Sequence, residues 1–261
     1  MHGFIFRTLI QIITFLCSNF QNLCYNIDNS VKVGNNMAAT KEYATSIETR
    51  ERIVDTCRRL FCEKGYKKTT YAEICRIANV HPGTITYHFE NKKNLATLLF
   101  KETLDDLHQA VENLWPGEDK LQRKLIANGM HYKLIFDDSS YRRFSMEYSA
   151  DSFATFDSEQ YIQLNYKAYE LTRNYVDELR AKFLFMAFAG MDIYLDRYIS
   201  DNFDDLEYEQ VFVYISEIYH PYLDRTELHA RIVKAIAYLD TVDVRFDNFR
   251  AFAKIRKIPP E

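Results

Sequence analysis

Apolar residues along this chain recur mostly three and four positions apart, the spacing of one helix face. Ile53, Val54, Cys57, Leu60 and Phe61 form the first stripe, over 46–64, and Gly65 stands where that helix should stop. Ile74, Ile77 and Ala78 form a second stripe, and Ile85 and Phe89 a third. Leu95, Leu98, Leu99, Leu104 and Leu107 carry a fourth, from Asn91 as N-cap towards Leu114. After Trp115-Pro116-Gly117 the same period predicts helices over 121–136, 141–152, 159–179, 180–199, 206–219, 227–240 and 244–255. Seven glycines and five prolines in 261 residues leave long unbroken stretches. No run alternates convincingly with the strand period of two. The expected fold class is all-α.

The sharpest punctuation lies in 69–100. Thr70-Tyr71-Ala72-Glu73 has the form of a capping box, in which the hydroxyl accepts from an amide one turn on and the glutamate reaches back. Asn79 follows the second stripe and tolerates the left-handed backbone that a helix uses to stop. Val80 is apolar within the turn, and Pro82 suits a first helical position, where its missing N–H had no partner. Gly83 and Thr84 keep the leading end of the next helix small. Ile85 and Phe89 point inward, which leaves Thr84, Thr86, Tyr87 and His88 outward. Short helix, tight turn, second helix: this is a helix-turn-helix, whose second helix enters the DNA major groove by its N-terminal end. On spacing alone, three packed structural helices are the competing reading.

The segment 49–100 resembles the DNA-binding domain of the TetR family of bacterial repressors. The resemblance rests on Arg52-Ile53-Val54, Leu60-Phe61, Lys64-Gly65-Tyr66, Thr69-Thr70, Ile74, Ala78, Val80, Gly83-Thr84-Ile85, Tyr87-His88-Phe89 and Asn91-Lys92-Lys93-Asn94-Leu95. It departs from the family at Asn79 (usually glycine), His81 (serine or threonine) and Thr86 (tyrosine), which bears on base preference. The resemblance implies a three-helix DNA-binding domain followed by a larger helical domain for ligand binding and dimerisation. It implies DNA contacts from Thr70, His81, Gly83, Thr84, Thr86, Tyr87 and His88, with Lys92 and Lys93 on phosphates at a helix start. Lys67 and Lys68, in the preceding loop, are further phosphate candidates. It also implies a homodimer on a near-palindromic operator, through helices from Lys182 to Ile199 and from Leu206 to His220, with motion carried through the helix that starts at Asn91.

Charge agrees with that division. The net charge is −4 overall, yet 46–101 carries +5 and the remainder −9. A basic headpiece on an acidic body attracts phosphate to one end only. Five cysteines, without zinc-like spacing, fit a reducing compartment. Cys57 and Cys75 read as core, and Cys62 as a conceivable redox position.

The expected domains are 1–45 as an extension, 46–100 as headpiece and 101–258 as body. Phe4 to Phe20 is apolar but interrupted by Arg7, Gln11 and Thr14, too short and too polar for a membrane span. Met37-Ala38-Ala39-Thr40 reads as a natural start, so the expectation is that translation begins there, with a membrane anchor before it as the competing reading. Nineteen tyrosines and nineteen phenylalanines are unusually many. Tyr132, Phe136, Phe144, Tyr148, Tyr166, Tyr169, Tyr175 and Met186 are candidates for an aromatic effector pocket, with core packing as the alternative for each. Asp138, Glu147 and Asp192 are candidates for meeting a cation.

No nucleophile elbow, phosphate-cradling glycine loop or HExxH pair is present, so an enzyme is not expected, nor a metal or other cofactor. The expected function is a cytoplasmic, nucleoid-associated, ligand-responsive repressor. The competing function is a DNA-binding protein controlled by a protein partner, with no small-molecule effector.

Overall fold

The computed structural model describes residues 37–152 and 158–256. The expectations for 1–36 lie outside the described residues. By contacts the chain divides into Met1–Ile47 and Glu48–Glu261. The first unit is described only as the leading part of a helix, and everything below concerns the second.

Eleven α-helices, one 3-10 turn and two strands follow in order among the described residues. The headpiece helices are α1 (Met37–Lys64), α2 (Tyr71–Ala78) and α3 (Pro82–Phe89). Then come α4 (Lys92–Leu114), α5 (Lys120–Asp137), α6 (Ser139–Ser152), α7 (Ser158–Leu164), α8 (Tyr166–Thr172), α9 (Glu178–Asp201), α10 (Tyr208–Tyr219) and α11 (Arg225–Leu239). The chain is all-α apart from a terminal hairpin of β1 (Val242–Asp247) and β2 (Arg250–Ile255). Among the described residues no helix is long and apolar enough to cross a membrane.

The single helix expected over 159–179 is instead broken twice. Asn165 leaves helical geometry at φ −106, ψ 25, and its side-chain amide donates back to Tyr161 O. Such local bonds compete with helix continuation. Asp177 then starts α9 as an N-cap, accepting from Arg180 N at 2.9 Å.

The helix expected over 244–255 is an antiparallel hairpin, with Val244 opposite Ala253 and Phe246 opposite Ala251. Val242, Val244 and Phe246 alternate with Asp243, Arg245 and Asp247, so one strand face is buried and the other carries charge. The turn is Asn248-Phe249, both at positive φ (47 and 62). Two left-handed residues give the turn type that matches strand twist. Asparagine adopts that backbone easily; phenylalanine does so at a cost that its burial offsets. Phe249 is fully buried and meets Phe144 edge-on, with ring centroids 4.4 Å apart, and Phe61 at 6.1 Å. Its carbonyl accepts from Thr103 Oγ1 on α4 at 3.2 Å. Arg250 grips Asp106 of α4 with two bonds of 2.7 Å. The hairpin tip therefore lies where headpiece, α4 and α6 meet.

Candidate functional site

The headpiece is built largely as its local sequence dictates. Thr70 caps α2, its hydroxyl accepting from Glu73 N at 3.3 Å. The reciprocal half of the capping box is absent, because the Glu73 carboxylate pairs with Lys64. Asn79 ends α2 in the left-handed region (φ 51, ψ 54), and Arg52 of α1 donates to Ala78 O at 2.8 Å. His81 takes the N-cap of α3, its ring nitrogen accepting from Gly83 N at 3.4 Å, and Pro82 follows at the first helical position. Ile53, Cys57, Ile74, Ala78 and Ile85 are fully buried between the three helices. The Cys57 thiol is pushed up to about 12 and that of Cys62 to about 11, both chiefly by burial. At neutral pH both are thiols, not reactive thiolates.

Burial on one side fixes what α3 presents on the other. Thr70, His81, Gly83, Thr86 and Tyr87 are exposed, and Tyr87 is 80% exposed. The Tyr87 ring stands edge-on to His88 at 5.0 Å. Thr84 and His88 are half-buried, and burial, then the charge of Arg50, lowers the His88 pKa. Lys67 and Lys68 are exposed in the loop before α2. Lys92 faces inward: its ammonium donates to Tyr66 O and Thr69 O, each at 3.0 Å, and lies 4.2 Å from the Tyr66 ring centroid. That ammonium ties α4 to the loop after α1, so a phosphate there competes with two carbonyls. Lys93, beside it, is half-buried.

Residues 53–98 match the family profile described as "Bacterial regulatory proteins, tetR family". The headpiece is thus similar to the DNA-binding domain of the TetR family. It is 40% identical over 75 residues to the HTH-type transcriptional regulator TtgR of Pseudomonas putida, covering 29% of this chain and 33% of that protein. It is 32% identical over 62 residues to IcaR of Staphylococcus aureus, the biofilm operon icaADBC HTH-type negative transcriptional regulator, covering 24% and 33%. The chain thus spans about a third of the length of these relatives. Among solved structures, NalD, the secondary repressor of the MexAB-OprM multidrug efflux pump in Pseudomonas aeruginosa, aligns with a TM-score of 0.42 and 19% identity, over 70% of this chain and 98% of that one. The body of this chain is read from its own residues.

The body meets the TetR-type headpiece through α6. Arg143 donates to Cys62 O at 2.5 Å, Glu147 accepts from Lys67 N at 2.7 Å and Asp151 accepts from Tyr66 OH at 2.6 Å. Gly65 makes this approach possible: its φ is +89, and a Cβ there would lie 2.7 Å from Glu147 Oε2. A second row on α6, offset by two residues and so about 200° around the helix, turns the other way. Tyr141 OH bonds His131 Nδ1 at 2.8 Å, and Ser145 lines a cavity, its carbonyl accepting from the Ser149 hydroxyl. One helix thus carries headpiece contacts on one side and cavity contacts on the other.

The cavity has a volume of about 400 Å³. Phe100, Tyr132, Phe185, Phe188, Ile215 and Tyr219 form its apolar wall. Lys124, His108, His131, His220, Asp192 and Asp196 also face it. Burial dominates their chemistry. It holds His108 at about 3 and His131 and His220 at about 4, and it pulls Lys124 down to about 8. Burial raises Asp196 to about 6, and burial with the neighbouring charge of Asp196 raises Asp192 well above the carboxylate range. At neutral pH the imidazoles are therefore uncharged, and Asp192 is drawn towards its neutral form.

Of the expected pocket residues, Tyr132 and Tyr166 line the cavity. Phe144 and Tyr148 are fully buried at the headpiece joint, stacked 5.7 Å apart. Phe136 packs on Phe203 at 5.0 Å, Tyr169 on Phe185 at 5.2 Å and Tyr175 on Tyr222 at 5.4 Å. Met186 is half-buried against the cluster around Phe185. Asp138 caps α6, accepting from Tyr141 N at 2.8 Å, Glu147 serves the joint, and Asp192 faces the cavity. The polar cavity group was legible in part: Lys124, Asn128 and His131 fall at i, i+4, i+7 on a helix whose other faces are apolar.

Proposed function

We propose that this chain is a transcriptional regulator, a repressor that binds a near-palindromic operator as a homodimer and leaves it when a small molecule fills the body cavity. The observation that carries the reading is α3: one face is locked into the headpiece core while the small residue Gly83 stands exposed at its leading end and Thr86 and Tyr87 about one turn further on. That is the surface a recognition helix lays against base edges. Thr70, His81, Thr84 and His88 flank it, and Lys67, Lys68 and Lys93 supply phosphate contacts. Lys92 serves the same interface by fixing the start of α4.

Dimerisation is supported by an apolar stripe on α9. Leu179, Phe183, Tyr194 and Tyr198 are each more than half exposed, and Ala187 and Gly190 continue the same face. Tyr214 and Ile218 extend it on α10. A surface patch of this kind on two adjacent helices marks an interface. These helices contain the segments expected to pair, from Lys182 to Ile199 and from Leu206 to His220. Two headpieces on a twofold axis read two half-sites.

The domain reading follows: 46–100 binds DNA and 101–258 senses and dimerises, with the cytoplasm as the place of action. A cavity of about 400 Å³ favours a small-molecule effector over control by a protein partner. Repression agrees with the role of IcaR as a negative transcriptional regulator. The test is a gel shift with the gene's own upstream DNA. Tyr87→Ala should weaken specific binding about tenfold or more with unchanged thermal stability. Equal binding by wild type and variant overturns the role given to α3.

A further inference from the structure

Two of the three acids at the cavity have an internal partner. Asp192 accepts from Tyr161 OH at 2.5 Å, and Asp105 at the rim pairs with Lys101 at 2.8 Å and Lys167 at 3.6 Å. The basic side differs. Among the described residues the Lys124 ammonium has no ion pair and no hydrogen bond, and only the longer-range charge of Asp192 acts in its favour. The side chain is half-buried in the cavity wall, and a charge drawn from water without a close partner is costly until something neutralises it.

We propose that the effector is an aromatic carboxylic acid whose carboxylate pairs with Lys124 while its ring lies among Phe100, Phe185, Phe188 and Tyr219. This deepens the proposed function and rests on its effector cavity. A carboxylate suits the site because it brings one negative charge to one uncompensated ammonium. The neutral imidazoles of His108, His131 and His220 add polar contacts without further charge. A dianion would leave one charge uncompensated against Asp196. An amine would place a second cation beside Lys124, and Asp192 already holds the Tyr161 hydroxyl. The aromatic walls favour a flat body, with edge and face contacts at ring-to-ring distances.

The experiment is calorimetric titration of the DNA-free chain at pH 7 with 2-naphthoate, 2-naphthylmethanol and 2-naphthylmethylamine, three probes that share a ring system and differ in charge. Naphthoate should bind about ten- to a hundredfold tighter than the alcohol. Lys124→Met should abolish that preference while still binding the alcohol, which shows that the variant is folded with its cavity intact. In the wild type, naphthoate affinity should fall as pH rises through 8 and Lys124 loses its proton, above the titration of Asp196 near 6. The groups facing that ammonium are His108 and Asp105 of α4, His131 of α5, Lys167 of α8, Asp192 and Asp196 of α9 and His220 after α10. His108, His131 and His220 titrate near 3 to 4, far below that window.

Naphthoate that fails to bind, binds no tighter than the alcohol, or binds Lys124→Met as well as wild type overturns the proposal. Tighter binding of the amine overturns it in favour of a cation site on Asp192 and Asp196. Release of DNA is read separately by gel shift. Naphthoate that binds through Lys124 without releasing DNA leaves the effector chemistry standing and counts against the regulatory reading.

Discussion

Lys92 and Lys124 lie near the starts of neighbouring helices, and their ammonium groups have opposite surroundings. Lys92 sits at the headpiece joint, held by two carbonyls and the face of Tyr66. Lys124 sits in the cavity wall with no partner from the described residues, and burial draws its pKa down to about 8. The same side chain is a staple in one region and an uncompensated charge in the other. Burial alone does not separate them; the count of acceptors does. A satisfied buried ammonium holds a structure together, whereas an unsatisfied one costs stability until something binds it.

The joint is most severely broken through the residue that fills it from the far end of the chain. Phe249→Ala should cost about 3–5 kcal/mol in denaturant unfolding, as for other buried phenylalanines. A loss below about 1 kcal/mol would mean that the hairpin does not belong to the joint. The two lysines themselves should then move in opposite directions. Lys92→Met leaves Tyr66 O and Thr69 O without their donor and should destabilise by about 1.5–3 kcal/mol. Lys124→Met removes an unpaired buried charge and should be neutral or stabilising by about 1 kcal/mol. Equal losses in the two variants would erase the contrast.

Acid titration sharpens the cavity side. His131 is held neutral in the folded chain, at about 4 against an ordinary value of 6.5. Its folded value is depressed, so its contribution is complete above pH 6.5 and is lost as pH falls towards 4. The stability of wild type relative to His131→Gln should therefore decline across that window, by on the order of 2 kcal/mol. A flat difference would mean that His131 is protonated in the fold. The smallest effect is expected at the surface. Lys68→Ala should leave stability unchanged and lower the salt slope of DNA binding by about one unit. Lys92→Met should leave that slope unchanged, since its ammonium is already spent inside.

Much of the headpiece was legible in the sequence because its signals are local. Thr70, Asn79, Pro82 and Asn91 each act within a few residues, and each does in the fold what its chemistry predicts. The inward turn of Lys92 was not legible. It depends on carbonyls at Tyr66 and Thr69, which come within reach only when α4 packs on the loop after α1. The cavity was legible only in part because its wall is drawn from α4 to α10, and an aromatic residue reads the same whether it meets a ligand or a neighbour. Tyr132 faces the cavity, whereas Phe144 belongs to the core. The hairpin was missed for a different reason. The alternation of Val242, Val244 and Phe246 was present, but its turn has phenylalanine where glycine would have announced it. That phenylalanine is tolerated because of Phe61 and Phe144, which no short window contains.

The position of Phe249 also sets an order of events. A chain made from its N-terminus folds its early parts first, and Phe61, Thr103, Asp106 and Phe144 all precede the hairpin that covers them. On the ribosome the headpiece helices acquire their own core while the place for Phe249 is still empty. The joint between headpiece and body is therefore the last part of the molecule to set, and a nascent chain completes its headpiece before the body is locked to it.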